Sequence, residues 1–167
     1  NSEISNYESF VLRNSGNDWT STMLRDGYIT SLTNKTDIDH QLYRPAIIYL
    51  NGEYWGIQNI REKVNEHFLS SHHDINPENI DLLDIQGTNP ENIVHGTNVD
   101  YLNLLDYLNN NDIRDPAVQS GIEGWIDINS FMQYQAFQIF IDNRDWPGNN
   151  IKFWRDHRTT GKWRWIL

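Results

Sequence analysis

Residues 46–60 read AIIYLNGEYWGIQNI and carry the strongest fold signal in the chain. An apolar run is followed by Asn51-Gly52 and then by a second run that starts at Tyr54. Asn-Gly between two such runs is typical of a β-hairpin, because both residues tolerate the positive φ that a two-residue turn requires. The stretch predicts two antiparallel strands, with Pro45 at the beginning of the first, where a missing N–H is tolerated.

Further strands and helices are predicted outward from this hairpin. Alternation and turn residues predict strands over 9–13, 81–85, 151–155 and 162–167, the last two forming a second hairpin around Thr159-Thr160-Gly161. Helical periodicity predicts helices from residue 20 or 21 to 32 and over 64–71, 99–108 and 128–141, and polar residues 86–98 predict a loop. The pattern indicates an α+β fold of antiparallel hairpins packed with helices.

Two of these helices carry expectations about burial. In the first, we expect Met23, Leu24, Tyr28 and Leu32 to face the core. The helix over 128–141 is apolar on nearly every side and has Asp127 as a good N-cap, which indicates a buried central helix.

Composition narrows the class of protein. A chain of 167 residues favours a single domain over 1–167, and 38% apolar content with seven Trp, eight Tyr and six Phe argues against disorder. A net charge of −10 disfavours nucleic acid as a partner. The absence of cysteine excludes disulfides and thiolate chemistry, and no apolar run approaches the ~20 residues of a transmembrane segment.

Residues 143–150, NRDWPGNN, are the most informative candidate site. They follow the apolar helix and precede a strand, so they predict a tight loop that leaves the core. Asp145 and Asn150 have the D-x-x-x-x-N spacing of protein kinases, in which the aspartate orients the substrate hydroxyl and the asparagine binds Mg²⁺. The spacing also occurs at three other places in the chain, and Asp145 and Asn149 could instead bond within their own turn.

Arg61-Glu62-Lys63 is the second candidate, at the end of the hairpin. Arg61 or Lys63 could contact phosphates, with Glu62 pairing one of them; the alternative is a solvated first helical turn. His72-His73 lies in a segment that reads as a polar loop, and adjacent histidines diverge in both helix and strand, so they predict no shared metal site. No Walker-type loop and no G-x-S-x-G sequence occurs.

Taken together, several stretches resemble the CotH kinase family, named for spore coat protein H. They are LRNSGNDW (12–19), MLRD (23–26), RPAIIYLNGEYWG (44–56), NIREK (59–63), NRDWPGNNIK (143–152) and KWRWIL (162–167). The resemblance spans nearly the whole chain in family order. It implies an atypical protein-kinase-like fold that transfers phosphate from ATP to Ser/Thr of secreted or coat proteins, with Mg²⁺ or another divalent cation.

The resemblance also implies roles for single residues. Asp145 corresponds to the catalytic-loop aspartate and Asn150 to the metal-binding asparagine, while Arg61, Glu62 and Lys63 are candidates for nucleotide contacts. The family implies an extracellular or cell-surface location. It also implies a D-x-D-type motif after the W-R-W-I-L strand and an N-terminal portion ahead of Asn1, so we expect a domain that is incomplete at both termini.

Two other functions remain open on the sequence. The same fold could serve as a non-catalytic surface or coat module for adhesion or assembly, and nucleotide binding would separate that function from a kinase. A carbohydrate-binding surface is the third hypothesis, formed by tryptophans that could equally pack in the core: Trp55, Trp146, Trp154, Trp163 and Trp165.

We predict that residues 1–167 alone show little or no ATP hydrolysis or phosphotransfer, because the expected second metal-binding motif lies outside them. The measurement is release of labelled phosphate from ATP with Mg²⁺, and its transfer to a test protein. Robust Mg²⁺-dependent activity that Asp145→Asn abolishes would show instead that the site is complete.

Overall fold

The chain is described by a computed structural model that covers residues 8–87, 89–158 and 161–167, with the side chains of residues 89–91 left aside. The strands in this part of the chain are β1 Phe10–Arg13, β2 Tyr43–Leu50, β3 Glu53–Glu62, β4 Ile80–Gln86, β5 Asn89–His95, β6 Ile151–Asp156 and β7 Arg164–Ile166. The α-helices are α1 Arg25–Ser31, α2 Glu66–His73, α3 Val99–Asn110, α4 Pro116–Trp125 and α5 Ile128–Phe140. The predicted α+β class is confirmed at this level.

The N-terminal sheet has the order β1-β3-β2 and is antiparallel throughout. Its β2–β3 hairpin is the predicted one: Leu50 pairs with Glu53, and Asn51 and Gly52 have φ of 52° and 86°. Both turn residues therefore have the positive φ that the Asn-Gly pair predicted. Pro45 lies inside β2 rather than at its beginning, and it is tolerated because β2 is an edge strand.

The second sheet has the order β5-β4-β6-β7, again antiparallel. The predicted pairing of the last two strands is confirmed, with Phe153 opposite Trp165, while Thr159 and Thr160 of their expected turn lie outside the described residues. The prediction of a loop over 86–98 is wrong, because β5 lies in this range and pairs along β4. Backbone pairing with an apolar strand outweighed a polar, turn-like composition.

Helix α1 does not pack as predicted. Leu24, Tyr28 and Leu32 are exposed, whereas Gly27 and Thr30 are buried. A Cβ atom added at Gly27 would lie 2.6 Å from the ring of Tyr43, so the helix approaches β2 through its smallest residue. This close approach fixes which face is buried, and a hydrophobic pattern does not reveal it.

Helix α5 begins as predicted, because the Asp127 carboxylate accepts a hydrogen bond from the Ser130 amide. The prediction that α5 is buried on nearly every side is wrong. Tyr134 and Phe137 face the core, but Ile139 and Phe140 are 68% and 75% exposed. Helix α4 was not predicted, although Asp115 followed by Pro116 is a typical helix start and the Asp115 side chain caps the helix.

Aromatic side chains fill the core between the second sheet and the helices. Trp163 is fully buried, its ring packs edge-on against Tyr101 and Phe153, and the Arg155 guanidinium lies over it. Trp154 is buried as well, but Trp55 is 64% exposed. Trp146 and Trp165 are partly buried and pack against the same core, so core packing accounts for four of the five tryptophans considered as a sugar-binding surface.

We predict that Trp163→Ala lowers the free energy of unfolding by about 3–5 kcal/mol, because it leaves a large cavity in this core. Trp55→Ala is the matched control, since it removes the same side chain from an exposed position, and we expect a loss below about 1 kcal/mol. Urea denaturation followed by circular dichroism measures both. Equal losses in the two variants would contradict the proposed packing.

Candidate functional site

A cleft of about 1050 Å³ lies between the two sheets. Residues of β1, α1 and β3 line one side, and residues of β4, β6 and the loop after α5 line the other. Four of the five residues proposed from the sequence line it: Arg61, Lys63, Asp145 and Asn150. The two candidate stretches, 61–63 and 143–150, are 80 positions apart in the chain, so the fold brings them together.

The loop over 143–150 is fixed at both ends by side-chain hydrogen bonds. At its start, the Asn143 amide group donates to Gln138 Oε1 (2.8 Å), and Asn143 Oδ1 accepts from the Asp145 backbone N–H (3.1 Å). Gln138 is buried on α5 and therefore anchors the loop to the helix. At its end, Asn149 Oδ1 accepts from the Gly87 backbone N–H (2.9 Å), which attaches the loop to the end of β4.

Asp145 and Asn150 are in direct contact across this loop. Asn150 Nδ2 donates to Asp145 Oδ2 at 3.3 Å, and both side chains are exposed to the cleft. Asn150 has φ of 56°, a left-handed conformation that asparagine tolerates better than most residues. The alternative that Asp145 and Asn149 bond within their own turn holds for Asp145, whose side chain bonds to Asn150. It is wrong for Asn149, whose side chain bonds to Gly87.

Arg61 supplies a buried cation on the opposite side of the cleft. Its guanidinium is 6% exposed, and its Nη1 lies 3.3 Å from Asp26 Oδ2, an oxygen that Arg13 Nε also approaches to 3.3 Å. Burial lowers the pKa of Arg61; Asp26 raises it and Arg13 lowers it further. Within the described part of the chain, the buried Arg61 Nε has no hydrogen-bond partner. A buried donor of this kind is costly unless something binds it.

Glu62 and Lys63 have different surroundings. Glu62 is buried, accepts the Leu42 backbone N–H at 2.9 Å and bonds to His72 Nε2 at 2.9 Å. The predicted pairing of Glu62 with Arg61 or Lys63 is therefore wrong, because alternation along the strand directs it away from Arg61. Lys63 follows β3 directly and is exposed.

The two adjacent histidines belong to α2 rather than to a loop. Their rings diverge as expected, since His72 bonds to Glu62 and His73 bonds to Asp39 at 2.8 Å.

Sequence reasoning missed a charged pair on the other wall of the cleft. Asp84 on β4 and Lys152 on β6 are direct cross-strand partners, and Lys152 Nζ lies 2.5 Å from Asp84 Oδ2. A signal was present, because aspartates inside the apolar run IDLLDI of residues 80–85 need polar partners once they are buried. The partner depends on strand register, which the sequence does not give.

Asp18 organises the turn that carries Arg25 into the cleft. Its carboxylate accepts the Thr22 hydroxyl at 2.6 Å, the Arg25 backbone N–H at 3.0 Å and the Thr22 backbone N–H at 3.2 Å. The Thr22 hydroxyl, followed by the Arg25 amide, lowers the pKa of Asp18 from 3.8 to about 2. Asp18, Asp26 and Gln138 are further cleft residues that no spacing pattern indicated.

Comparison with known protein families identifies the group to which this cleft belongs. The sequence model of the family described as CotH kinase protein matches residues 1–167. The chain belongs to the CotH kinase family. No curated protein matches it. Family membership agrees with the resemblance drawn from the sequence, and it supports a CotH-like kinase domain at the level of the family.

Two further findings concern the described residues of this CotH family member. In that part of the chain no helix is both long and apolar enough to cross a bilayer. Likewise, the described residues contain no group of three or more His, Cys, Asp or Glu side chains placed to hold a metal ion by themselves.

We predict that Asp18→Asn lowers the thermal midpoint at neutral pH, because asparagine offers one acceptor oxygen where Asp18 uses two. The folded pKa of Asp18 lies below its unfolded value, so the stability it provides is present above about pH 4 and is lost as the pH falls toward about 2.

The difference in thermal midpoint between wild type and Asp18→Asn should therefore shrink as the pH falls from about 4 toward about 2. A series of thermal melts at different pH values measures it. Asp142→Asn removes an 81% exposed carboxylate and is the matched control for loss of charge. A gap that stays constant down to pH 2 would contradict the role given to Asp18.

Proposed function

We propose that this chain forms part of a protein kinase domain that binds ATP with Mg²⁺ or another divalent cation in the cleft and that, in the full-length protein, transfers phosphate to Ser or Thr. One observation carries the proposal: a buried arginine with an unsatisfied donor faces the same cleft as the Asp145–Asn150 pair. Phosphoryl transfer needs positioned phosphates and a positioned hydroxyl, and these two groups are suited to those two tasks.

The phosphates would bind on the Arg61 side. The Arg61 Nε and the ammonium of Lys63 can each donate a charge-assisted hydrogen bond to a phosphate oxygen. Arg61 is held in place by Asp26, so little side-chain entropy is lost when a phosphate binds. Glu62 bonds to His72 and is left out of the proposed nucleotide contacts.

The divalent cation would be held by Asn150, with Asp145 beside it. This donor set fits Mg²⁺, because Mg²⁺ takes one or two protein oxygens together with phosphate oxygens and water. Mg²⁺ does not require a cage of carboxylates. When bound, the cation would neutralise charge on the phosphates. Asn150 is assigned the amide oxygen as ligand, while its NH₂ group remains on Asp145.

Asp145 would orient the attacking hydroxyl and accept its proton. The Asn143 side chain holds the Asp145 backbone and Asn150 holds one carboxylate oxygen, so the aspartate is positioned without being buried. An ionised carboxylate keeps further acceptor sites for a substrate hydroxyl. Because Asp145 is exposed, a Ser or Thr of a protein substrate can reach it from solvent.

The substrate class and location rest on family resemblance. We infer that the acceptors are secreted or coat proteins and that the domain acts outside the cell or at its surface.

A second function, a non-catalytic module for adhesion or assembly, is favoured by a different surface. The β2–β3 hairpin exposes more than half of each of five large apolar side chains: Ile47, Tyr49, Leu50, Tyr54 and Trp55. Contiguous exposed apolar surface is common at protein contacts. The two functions differ in whether the cleft binds nucleotide.

Calorimetric titration with ATP, in the presence and absence of Mg²⁺, tests the proposal. Arg61→Met should weaken ATP binding about tenfold in either condition, because it removes a charge-assisted hydrogen bond. Asn150→Ala should remove most of the gain in affinity that Mg²⁺ gives. Asp145→Asn should bind Mg·ATP nearly as well as wild type, since its role is in proton transfer.

Arg114→Met is the matched control, because Arg114 is 86% exposed and lies outside the cleft. It should bind ATP as wild type does. A folded protein that binds no nucleotide at millimolar concentration would contradict the kinase function and favour the assembly module.

A further inference from the structure

The proposed kinase function leaves one charged pair in the cleft without a role. Lys152 follows Asn150 by two residues, and both line the cleft. The Lys152 side chain is 30% exposed, and its Nζ lies 2.5 Å from Asp84 Oδ2. The pair therefore lies on the wall that carries Asn150, opposite Arg61.

Asp84 holds Lys152 in place, and its burial leaves the carboxylate few other partners. Its side chain is 8% exposed, and its two oxygens accept from Gln86 Nε2 at 3.0 and 2.9 Å. Since β4 and β6 are paired in register, Lys152 stands directly opposite this carboxylate. An ammonium has three protons and Asp84 uses one of them, so the partly exposed Lys152 retains donors for a ligand in the cleft.

Stability alone does not explain this pair. Removing a carboxylate from water in the middle of an apolar strand is costly, and an apolar pair of similar size would pack there at least as well. A carboxylate that fixes an ammonium at the edge of a cleft is instead a common way to orient a charged group toward an anion.

We propose that Lys152 binds the phosphate chain of the nucleotide, with Asp84 as its positioning residue. The inference rests on the proposed nucleotide site and adds a second phosphate contact on the wall opposite Arg61. Phosphates in the cleft would then contact one cation from each sheet, so that a single ligand would bind to both sheets.

Tripolyphosphate, ATP and adenosine are the probes, titrated calorimetrically into residues 1–167. Lys152→Met should weaken tripolyphosphate and ATP about tenfold or more and leave adenosine unchanged, because it removes a charge-assisted hydrogen bond to phosphate. Lys152→Arg keeps the charge and should recover most of the affinity. Lys35→Met is the matched control, since it neutralises an exposed lysine outside the cleft.

A second measurement needs no variant and stays decisive if Lys152→Met does not fold. Wild-type protein is acetylated with and without tripolyphosphate, and mass spectrometry compares the rates at Lys152 and Lys35. We expect tripolyphosphate to slow acetylation of Lys152 several-fold and to leave Lys35 unchanged. Equal rates with and without tripolyphosphate at Lys152 would overturn the inference.

The outcomes separate this inference from the kinase function. If wild type binds ATP and Lys152→Met binds it equally well, the inference fails and the kinase function stands. If Lys152→Met weakens adenosine as much as ATP, Lys152 contacts the base and the inference fails. If Lys152 controls tripolyphosphate binding but ATP does not bind, the phosphate site stands and the kinase function fails.

Discussion

The carboxylate of Asp39 joins a loop, helix α2 and strands β6 and β7 of this molecule. It accepts from His73 of α2 at 2.8 Å and from the Trp154 indole of β6 at 2.9 Å, and it lies 3.6 Å from Arg164 of β7. Burial opposes ionisation of Asp39, but the hydrogen bond and charge of His73, with Trp154 and Arg164, hold its pKa below the usual value. A largely enclosed charge with this many partners tolerates few alternative arrangements.

The same network sets the direction of helix α5, which leads into the loop over 143–150. Arg164 also pairs with Asp127, and the Asp127 backbone N–H donates to the Trp163 carbonyl at 3.0 Å. Because Asp127 caps α5, the start of the helix is fixed to β7. At its other end, Gln138 holds Asn143, so a constraint that begins in the core reaches Asp145 through one rigid helix.

The cleft divides its charged groups between the two sheets. One wall presents Arg61, which is buried and supported by Asp26, and the other presents Lys152, which is supported by Asp84. Asp145 and Asn150 are exposed and line the same cleft. Each cation is held by a carboxylate, and the Asp145 carboxylate is held by an amide. Such pairing keeps a charged group available to a ligand and avoids burying an unpaired charge. The proposed nucleotide site rests on this arrangement more than on the spacing of Asp145 and Asn150.

The sequence alone determined the elements whose signals are local. Asn51-Gly52 predicted its hairpin because few residues accept two positive φ angles in succession, and Asp127 predicted a helix start because a cap needs only its neighbours. The family match was likewise readable from short stretches. Tertiary structure decided what depends on distant partners: the burial of Gly27 against Tyr43, strand β5 on β4, the exposed side of α5 and the pairing of Asp84 with Lys152. Such contacts join residues far apart in the chain, and register and close approach are settled only when the whole core packs.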